Sequence, residues 1–110
     1  MSDNIDRKLW DAAEAGNEAL VSQLIDQATV DWRDDYYWTA LHPAARGGHT
    51  PVVTRLLDAG WSLEARTEAG WTPLTQATEG GHLETVKCLL LRGANMDTQS
   101  DYKSTPLHRA

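Results

Sequence analysis

Apolar residues recur along the chain at spacings of three and four residues, in short groups separated by glycine. One group occupies residues 41–45, and beyond the glycine pair at 47–48 a second occupies residues 52–57. Residues three and four positions apart share one face of a helix, so each group predicts a short helix with one apolar face. The same order returns at residues 74–90. The pattern therefore predicts pairs of short helices.

These helix pairs form a tandem repeat. The segments W-T-A-L-H, W-T-P-L-T and S-T-P-L-H begin at positions 38, 71 and 104, which gives a period of 33 residues. The segment that begins at Leu9 matches the one that begins at Leu41 at an offset of 32 residues. Each pair exposes an apolar face that only a neighbouring pair can cover, which predicts a linear stack. We expect one domain over residues 1–110, with units at about 5–37, 38–70, 71–103 and a partial unit at 104–110.

Threonine and proline mark the beginning of the first helix in each unit. Thr39, Thr72 and Thr105 stand where an N-cap hydroxyl would accept a backbone N–H bond. Pro73 and Pro106 then take the first helical position, where proline loses no bond that the helix needs. We therefore expect the three threonines to open equivalent helices.

The T-P-L-H block, the G-H that follows it, the aliphatic cluster and the G-A-N-M-D that closes the third unit resemble the ankyrin repeat. The resemblance covers essentially residues 5–110. It implies an all-α fold, an ankyrin-repeat solenoid of stacked antiparallel helix pairs with projecting hairpin-like loops. It also implies a concave surface that binds other proteins.

Several residues depart from the motif. Pro43 falls at about the fourth helical position, where it would remove the first intrahelical bond and make the start of that helix irregular. Ala40 replaces the motif proline and Thr75 the motif histidine, so we expect weaker capping in both units. Tyr37 and Lys103 replace the loop glycine that Gly70 supplies, and a bulky residue with positive φ is costly there.

The two ends of the array predict different surroundings. Polar residues on the first helix should form a solvent-facing cap: Asp3, Asp6, Arg7, Lys8, Asp11 and Glu14. The fourth unit stops at Ala110 after about two helical turns, which are unstable alone, so we expect a fragment of a longer array. An alternative is that the uncovered apolar side of the third unit drives end-to-end self-association.

Charge and cysteine content narrow the possible partners and compartments. A formal net charge of −6 disfavours nucleic acid, whose affinity depends on Lys and Arg. The single cysteine, Cys88, excludes an intramolecular disulfide. We find neither a signal peptide nor an apolar stretch long enough to span a membrane. The sequence thus favours a cytoplasmic or nuclear protein that contacts no membrane.

Residues that could carry chemistry are all explained by the repeat. His42 and His108 belong to the T-x-L-H block, and His49 and His82 to the G-G-H turn, so we expect structural roles rather than metal ligation. Cys88 lies within a helix without basic neighbours, which favours a packed or half-buried thiol. The glycine pairs lack the Lys-Ser/Thr of a phosphate loop. We therefore expect no enzyme activity, no cofactor and no metal.

Binding residues are suggested by the resemblance, because ankyrin ligands usually contact the projecting loops and the exposed side of each first helix. At aligned positions the candidates are Arg33, Asp35, Tyr36, Trp38, Arg46, Arg66, Glu68, Trp71, Glu79, Asp101 and Tyr102. Trp38 and Trp71 lie one repeat apart, so stacking would bring them side by side as a hot spot for another protein. Alternatively, both tryptophans only stiffen the stack. Trp10 is expected in the core, whereas the positions of Trp32 and Trp61 are left open.

Overall fold

The computed structural model describes residues 2–94. Within this range the chain folds into six helices and no strand: α1 Ser2–Ala15, α2 Glu18–Leu24, α3 Leu41–Arg46, α4 Thr50–Asp58, α5 Pro73–Glu79 and α6 Leu83–Leu91. The predicted all-α fold of helix pairs is confirmed. The predicted features at Lys103, Thr105, Pro106 and His108 lie outside the described residues.

The helices form two layers. In the inner layer α3 contacts α1 on one side and α5 on the other, and in the outer layer α4 contacts α2 and α6 in the same way. Each inner helix also packs on the outer helix that follows it in the chain. The contacts therefore run between nearest neighbours, as a linear repeat requires.

The core lies between the two layers and repeats with the sequence. Leu9, Leu41 and Leu74 hold the same position in successive units, and all three are buried. Ala44 and Ala77, one unit apart, are also completely buried. Their small side chains let adjacent inner helices approach closely, so the apolar faces seal one another along the stack.

Helix α5 begins with a reciprocal cap. The Thr72 hydroxyl accepts a hydrogen bond from the Thr75 backbone N–H at 3.3 Å, and the Thr72 N–H donates to the Thr75 hydroxyl at 2.7 Å. This is a capping box in which two backbone donors are satisfied by two side chains. The expectation that Thr75 weakens the cap is wrong, because its hydroxyl reaches back to the helix start.

Helix α3 begins one residue later than α5. Its N-cap is Ala40, which has helical dihedral angles and no side-chain cap, whereas the aligned Pro73 is the first residue of α5. In α5 the Gln76 N–H donates to the Thr72 carbonyl at 3.0 Å, but the aligned Pro43 has no N–H to donate. Shifting the start places Pro43 in the first turn, where that bond is not needed. The predicted irregular start is confirmed.

The Gly-Gly-His turn between the two helices of a unit locks each unit onto the preceding one. A Cβ atom on Gly48, where φ is +74°, would lie 2.5 Å from the His82 ring of the next unit. The His49 ring lies in the same way against Gly16, and its Nε2 is 3.0 Å from the Glu14 carbonyl oxygen. The structural role predicted for these two histidines is confirmed.

The polar cap on α1 is only partly correct. Asp6 is buried, and its carboxylate accepts a hydrogen bond from the Thr29 backbone N–H at 2.7 Å. Asp6 therefore holds the loop after α2 instead of facing solvent, because that loop offers an otherwise unpaired donor. Trp10 is buried as expected, beneath the Arg7 guanidinium at 4.7 Å.

Two further side chains take part in contacts between units. Trp61 is buried, with 4% of its surface exposed, in the core between units. Cys88 is half-buried as expected, with its Sγ atom 3.4 Å from the hydroxyl of Thr54 on α4. Both residues thus contribute to packing between neighbouring units.

Candidate functional site

Two loops of the same construction project beside the inner layer, and we call them the first finger (residues 34–38) and the second finger (residues 67–71). In the first, the Asp34 N–H donates to the Trp38 carbonyl at 3.0 Å, and in the second the Thr67 N–H donates to the Trp71 carbonyl at 2.9 Å. The side chain at the start of each finger closes the loop as well. Asp34 Oδ1 accepts from the Trp38 N–H at 3.0 Å, and Thr67 Oγ1 from the Trp71 N–H at 3.1 Å.

The tips of the fingers require a left-handed backbone. Gly70 has φ of +88°, and the aligned Tyr37 has φ of +67°. The prediction that Tyr37 would carry a positive φ is confirmed. Its ring lies under the Arg33 guanidinium at 4.0 Å, and this cation–π contact offsets part of the backbone cost.

The fingers are joined to each other. The Glu68 backbone N–H in the second finger donates to the Tyr36 carbonyl oxygen in the first at 2.8 Å. Since each finger is also closed internally, the two tips are held in one arrangement. A partner would therefore meet a preformed surface.

His42 anchors both fingers from beneath. Its Nδ1 accepts a hydrogen bond from the Thr39 N–H at 2.9 Å. Its Nε2 lies 3.0 Å from the carbonyl oxygens of Ala65 and Trp71, and because carbonyls only accept, Nε2 carries the proton. Burial lowers the pKa of His42 from 6.5 to about 4, although the hydrogen bonds to these backbone groups oppose the shift. The imidazole is therefore neutral near pH 7.

The same histidine sets the positions of both finger tryptophans. The Trp38 ring lies 5.8 Å from the His42 ring, tilted by 54°, while Trp71 is held through its carbonyl oxygen. On its other side, the Trp38 ring faces the Arg46 guanidinium at 6.0 Å. Both tryptophans are half-buried, so part of each ring remains accessible.

A groove of about 660 Å³ runs between the two fingers and the inner helices α3 and α5. Its lining includes the following candidates from the sequence: Tyr36, Trp38, Arg46, Glu68, Trp71 and Glu79. The remaining candidates in the described range, Arg33, Asp35 and Arg66, do not line it. Arg33 instead stacks on Tyr37. Asp101 and Tyr102 lie outside the described residues.

Three lining residues were not predicted: Thr67, Ala69 and Gln76. Gln76 lies on α5 three positions before Glu79, so helical spacing alone would have put both on one face. Thr67 is nearly buried and acts through its bond to the finger backbone. The sequence offered no direct signal for Ala69.

A second, smaller hollow of about 220 Å³ adjoins the groove on the α1 side. Glu14, Pro43 and Gly47 line it together with Trp38 and Arg46, which border both cavities. Glu14, Arg46 and Glu79 hold the same position in successive units, at offsets of 32 and 33 residues. The concave side of the inner layer thus carries a row of charges, negative, positive and negative.

Other kinds of site were sought among residues 2–94. No group of histidine, cysteine and carboxylate side chains in this part of the chain is arranged to hold a metal ion. Within the same range, no helix has the length and apolar character needed to cross a bilayer.

Comparison with known proteins agrees with this architecture. A search among curated proteins found no match to the chain. The family model described as ankyrin repeats, in three copies, matches residues 9–100. That span covers most of the chain and includes both helix layers and both fingers. The chain belongs to the ankyrin-repeat family.

Proposed function

We propose that this chain binds a partner protein in the groove between the first and second fingers, without catalysing a reaction. Ankyrin repeats are generally protein–protein interaction modules, and proteins built from them are typically not enzymes. The partner would contact the candidates that line the groove: Tyr36, Trp38, Arg46, Glu68, Trp71 and Glu79.

The observation that carries this proposal is the pair of half-buried tryptophans on one preformed groove. Tryptophan, tyrosine and arginine are the residues that most often dominate interface energy, and each is worth roughly 2 kcal/mol or more on truncation at a hot spot. Trp38, Trp71 and Tyr36 all line this groove, and Tyr36 is 67% exposed. A groove of about 660 Å³ also falls within the usual size of ligand sites.

Rigidity supports the same conclusion. Because His42 and the bond between Glu68 and Tyr36 hold the fingers in place, binding would not require the loops to become ordered. Ordering a loop costs affinity, so a preformed groove retains more of the contact energy. Stiffening of the stack and exposure of the rings are therefore compatible roles for the two tryptophans.

A peptide-display selection tests the proposal with no assumption about the partner's sequence. Random peptides would be selected on the wild-type chain and re-assayed on the double variant Trp38→Ala/Trp71→Ala, with circular dichroism as the folding check. We expect most selected peptides to lose binding to the folded double variant. Peptides that bind both proteins equally would refute the site. The matched control is Tyr37→Ala, since Tyr37 is exposed on the first finger but does not line the groove.

A second candidate function is self-association through the third unit. Leu83 and Leu91 on α6 are 73% and 87% exposed, which is unusual for large apolar side chains. Sedimentation would report dimers or longer assemblies that Leu83→Ser and Leu91→Ser reverse. A monomer at high concentration would discard this alternative.

A further inference from the structure

The concave face carries more negative than positive charge. Among the described residues that line the groove and the smaller hollow, three are carboxylates, Glu14, Glu68 and Glu79, and one is a guanidinium, Arg46. Arg46 already faces the Trp38 ring at 6.0 Å, so the aromatic shelf contacts a cation within the protein itself. Basic groups on a partner are therefore favoured at both ends of this surface.

The repeat also fixes the spacing between these ends. Glu14 lies on α1 and Glu79 on α5, at equivalent positions two units apart. Packed helices lie roughly 8–10 Å apart, so the two positions are separated by roughly 20 Å. An extended chain rises about 3.3 Å per residue and covers this distance in about six residues. Alternate side chains of such a segment point to the same side.

The two cavities between these ends are suited to apolar groups. The smaller hollow lies between the first and second units, and the larger groove between the second and third. Trp38 borders both cavities, and Trp71 borders the larger one. Two apolar side chains on one face of an extended segment would each meet a tryptophan.

From these features, and resting on the proposed function, we propose that the partner presents an extended segment with a basic residue at each end and apolar residues between. The two basic residues are about six positions apart and pair with Glu14 at one end and with Glu68 and Glu79 at the other. Two apolar side chains at alternate positions between them occupy the two cavities. An acidic segment would meet like charge at both ends.

Fluorescence anisotropy with labelled synthetic peptides tests this directly. The probe is Lys-Thr-Leu-Thr-Leu-Thr-Lys, whose threonines favour an extended backbone and whose lysines and leucines share one face. The comparison peptides carry glutamate in place of both lysines, or both lysines together at one end. We expect the probe to bind at least several-fold more tightly than either, and its affinity to fall as salt is added.

Protein variants locate the effect. Glu14→Gln and Glu68→Gln should each weaken the lysine probe by about two- to fivefold, as expected for a partly exposed ion pair, and leave the glutamate peptide unaffected or bound slightly better. Glu84→Gln, on the first turn of the outer helix α6, removes one exposed carboxylate away from the groove and should leave the affinity unchanged.

The outcomes separate this inference from the proposed function. Tighter binding of the glutamate peptide, no detectable binding of the lysine probe, or equal effects of Glu14→Gln and Glu84→Gln would each overturn the charge pattern. If displayed peptides still require Trp38 and Trp71, the groove remains the site while its basic partner is rejected. If no peptide depends on the tryptophans, the proposed function itself fails.

Discussion

His42 is a residue whose protonation state is coupled to folding. Burial lowers its pKa to about 4 in the folded chain, whereas the unfolded chain has the ordinary value of 6.5. Between these pH values only the unfolded state takes up the proton, so the free energy of unfolding decreases as the pH falls. The contribution is fully present above about pH 6.5, and the difference corresponds to about 3 kcal/mol.

Denaturant unfolding of wild type and His42→Gln at about pH 7 and about pH 4.5 measures this contribution. Glutamine can still donate to a carbonyl and accept from the Thr39 N–H, but it does not titrate. Carboxylates common to both proteins cancel in the comparison. We expect wild type to lose more stability than the variant between the two pH values. Equal losses would contradict the coupling.

Tyr37 presents a second effect at the scale of one residue. With φ of +67°, any side chain with a Cβ is strained by roughly 1–2 kcal/mol, while the stack with Arg33 returns part of that. We therefore expect Tyr37→Ala to be less stable than Tyr37→Gly by about 1 kcal/mol, because alanine keeps the strain and loses the stack. Thermal unfolding of the two variants gives the order, and an alanine variant at least as stable as the glycine variant would show that the backbone is not strained.

The helix is the next scale, and α5 depends on its cap. Thr72→Ala removes the hydroxyl that accepts from the Thr75 N–H, and the loss of such a cap costs about 1 kcal/mol. Thr72→Ser keeps the hydroxyl and serves as the matched control. Urea unfolding should place the alanine variant below the serine variant in free energy of unfolding. A serine variant as unstable as the alanine variant would assign the loss to packing of the threonine methyl group.

Helix starts also illustrate what a linear sequence can predict. The thirty-three-residue register identified Thr72 as a cap, and the missing N–H of Pro43 correctly predicted an irregular α3. It did not predict the role of Thr75, because the motif comparison treated a departure from histidine as a loss. A hydroxyl on the third helical residue can reach back to the start, and that geometry appears only in three dimensions.

At the scale of the whole molecule, the repeat predicted which residues would meet but not how closely. Equivalent positions in adjacent units must lie side by side, which is why Trp38 and Trp71 could be paired from the sequence. The exclusion of Arg33 from the groove could not be predicted, since it depends on a stack with Tyr37 within one finger. Asp6 was misplaced for a similar reason, because its partner is the backbone of Thr29 and carries no side-chain signal.

Contact between units can be tested at Gly48, because the chain supplies its own control one repeat later. Gly48 and Gly81 both have φ of +74°, so alanine would strain both backbones equally. A Cβ on Gly48 would lie 2.5 Å from the His82 ring, whereas a Cβ on Gly81 would meet no atom within 4 Å in the described part of the chain.

The two alanine variants therefore differ in one term, the clash between the second and third units. We expect Gly81→Ala to lose about 1 kcal/mol from backbone strain, and Gly48→Ala to lose about 1–3 kcal/mol more because the His82 ring must move. Urea unfolding gives both values, and hydrogen exchange should show faster opening of α5 and α6 in Gly48→Ala alone. Equal destabilisation would mean that the histidine ring shifts freely, and that the stack is held by its apolar layers without help from the Gly-Gly-His turn.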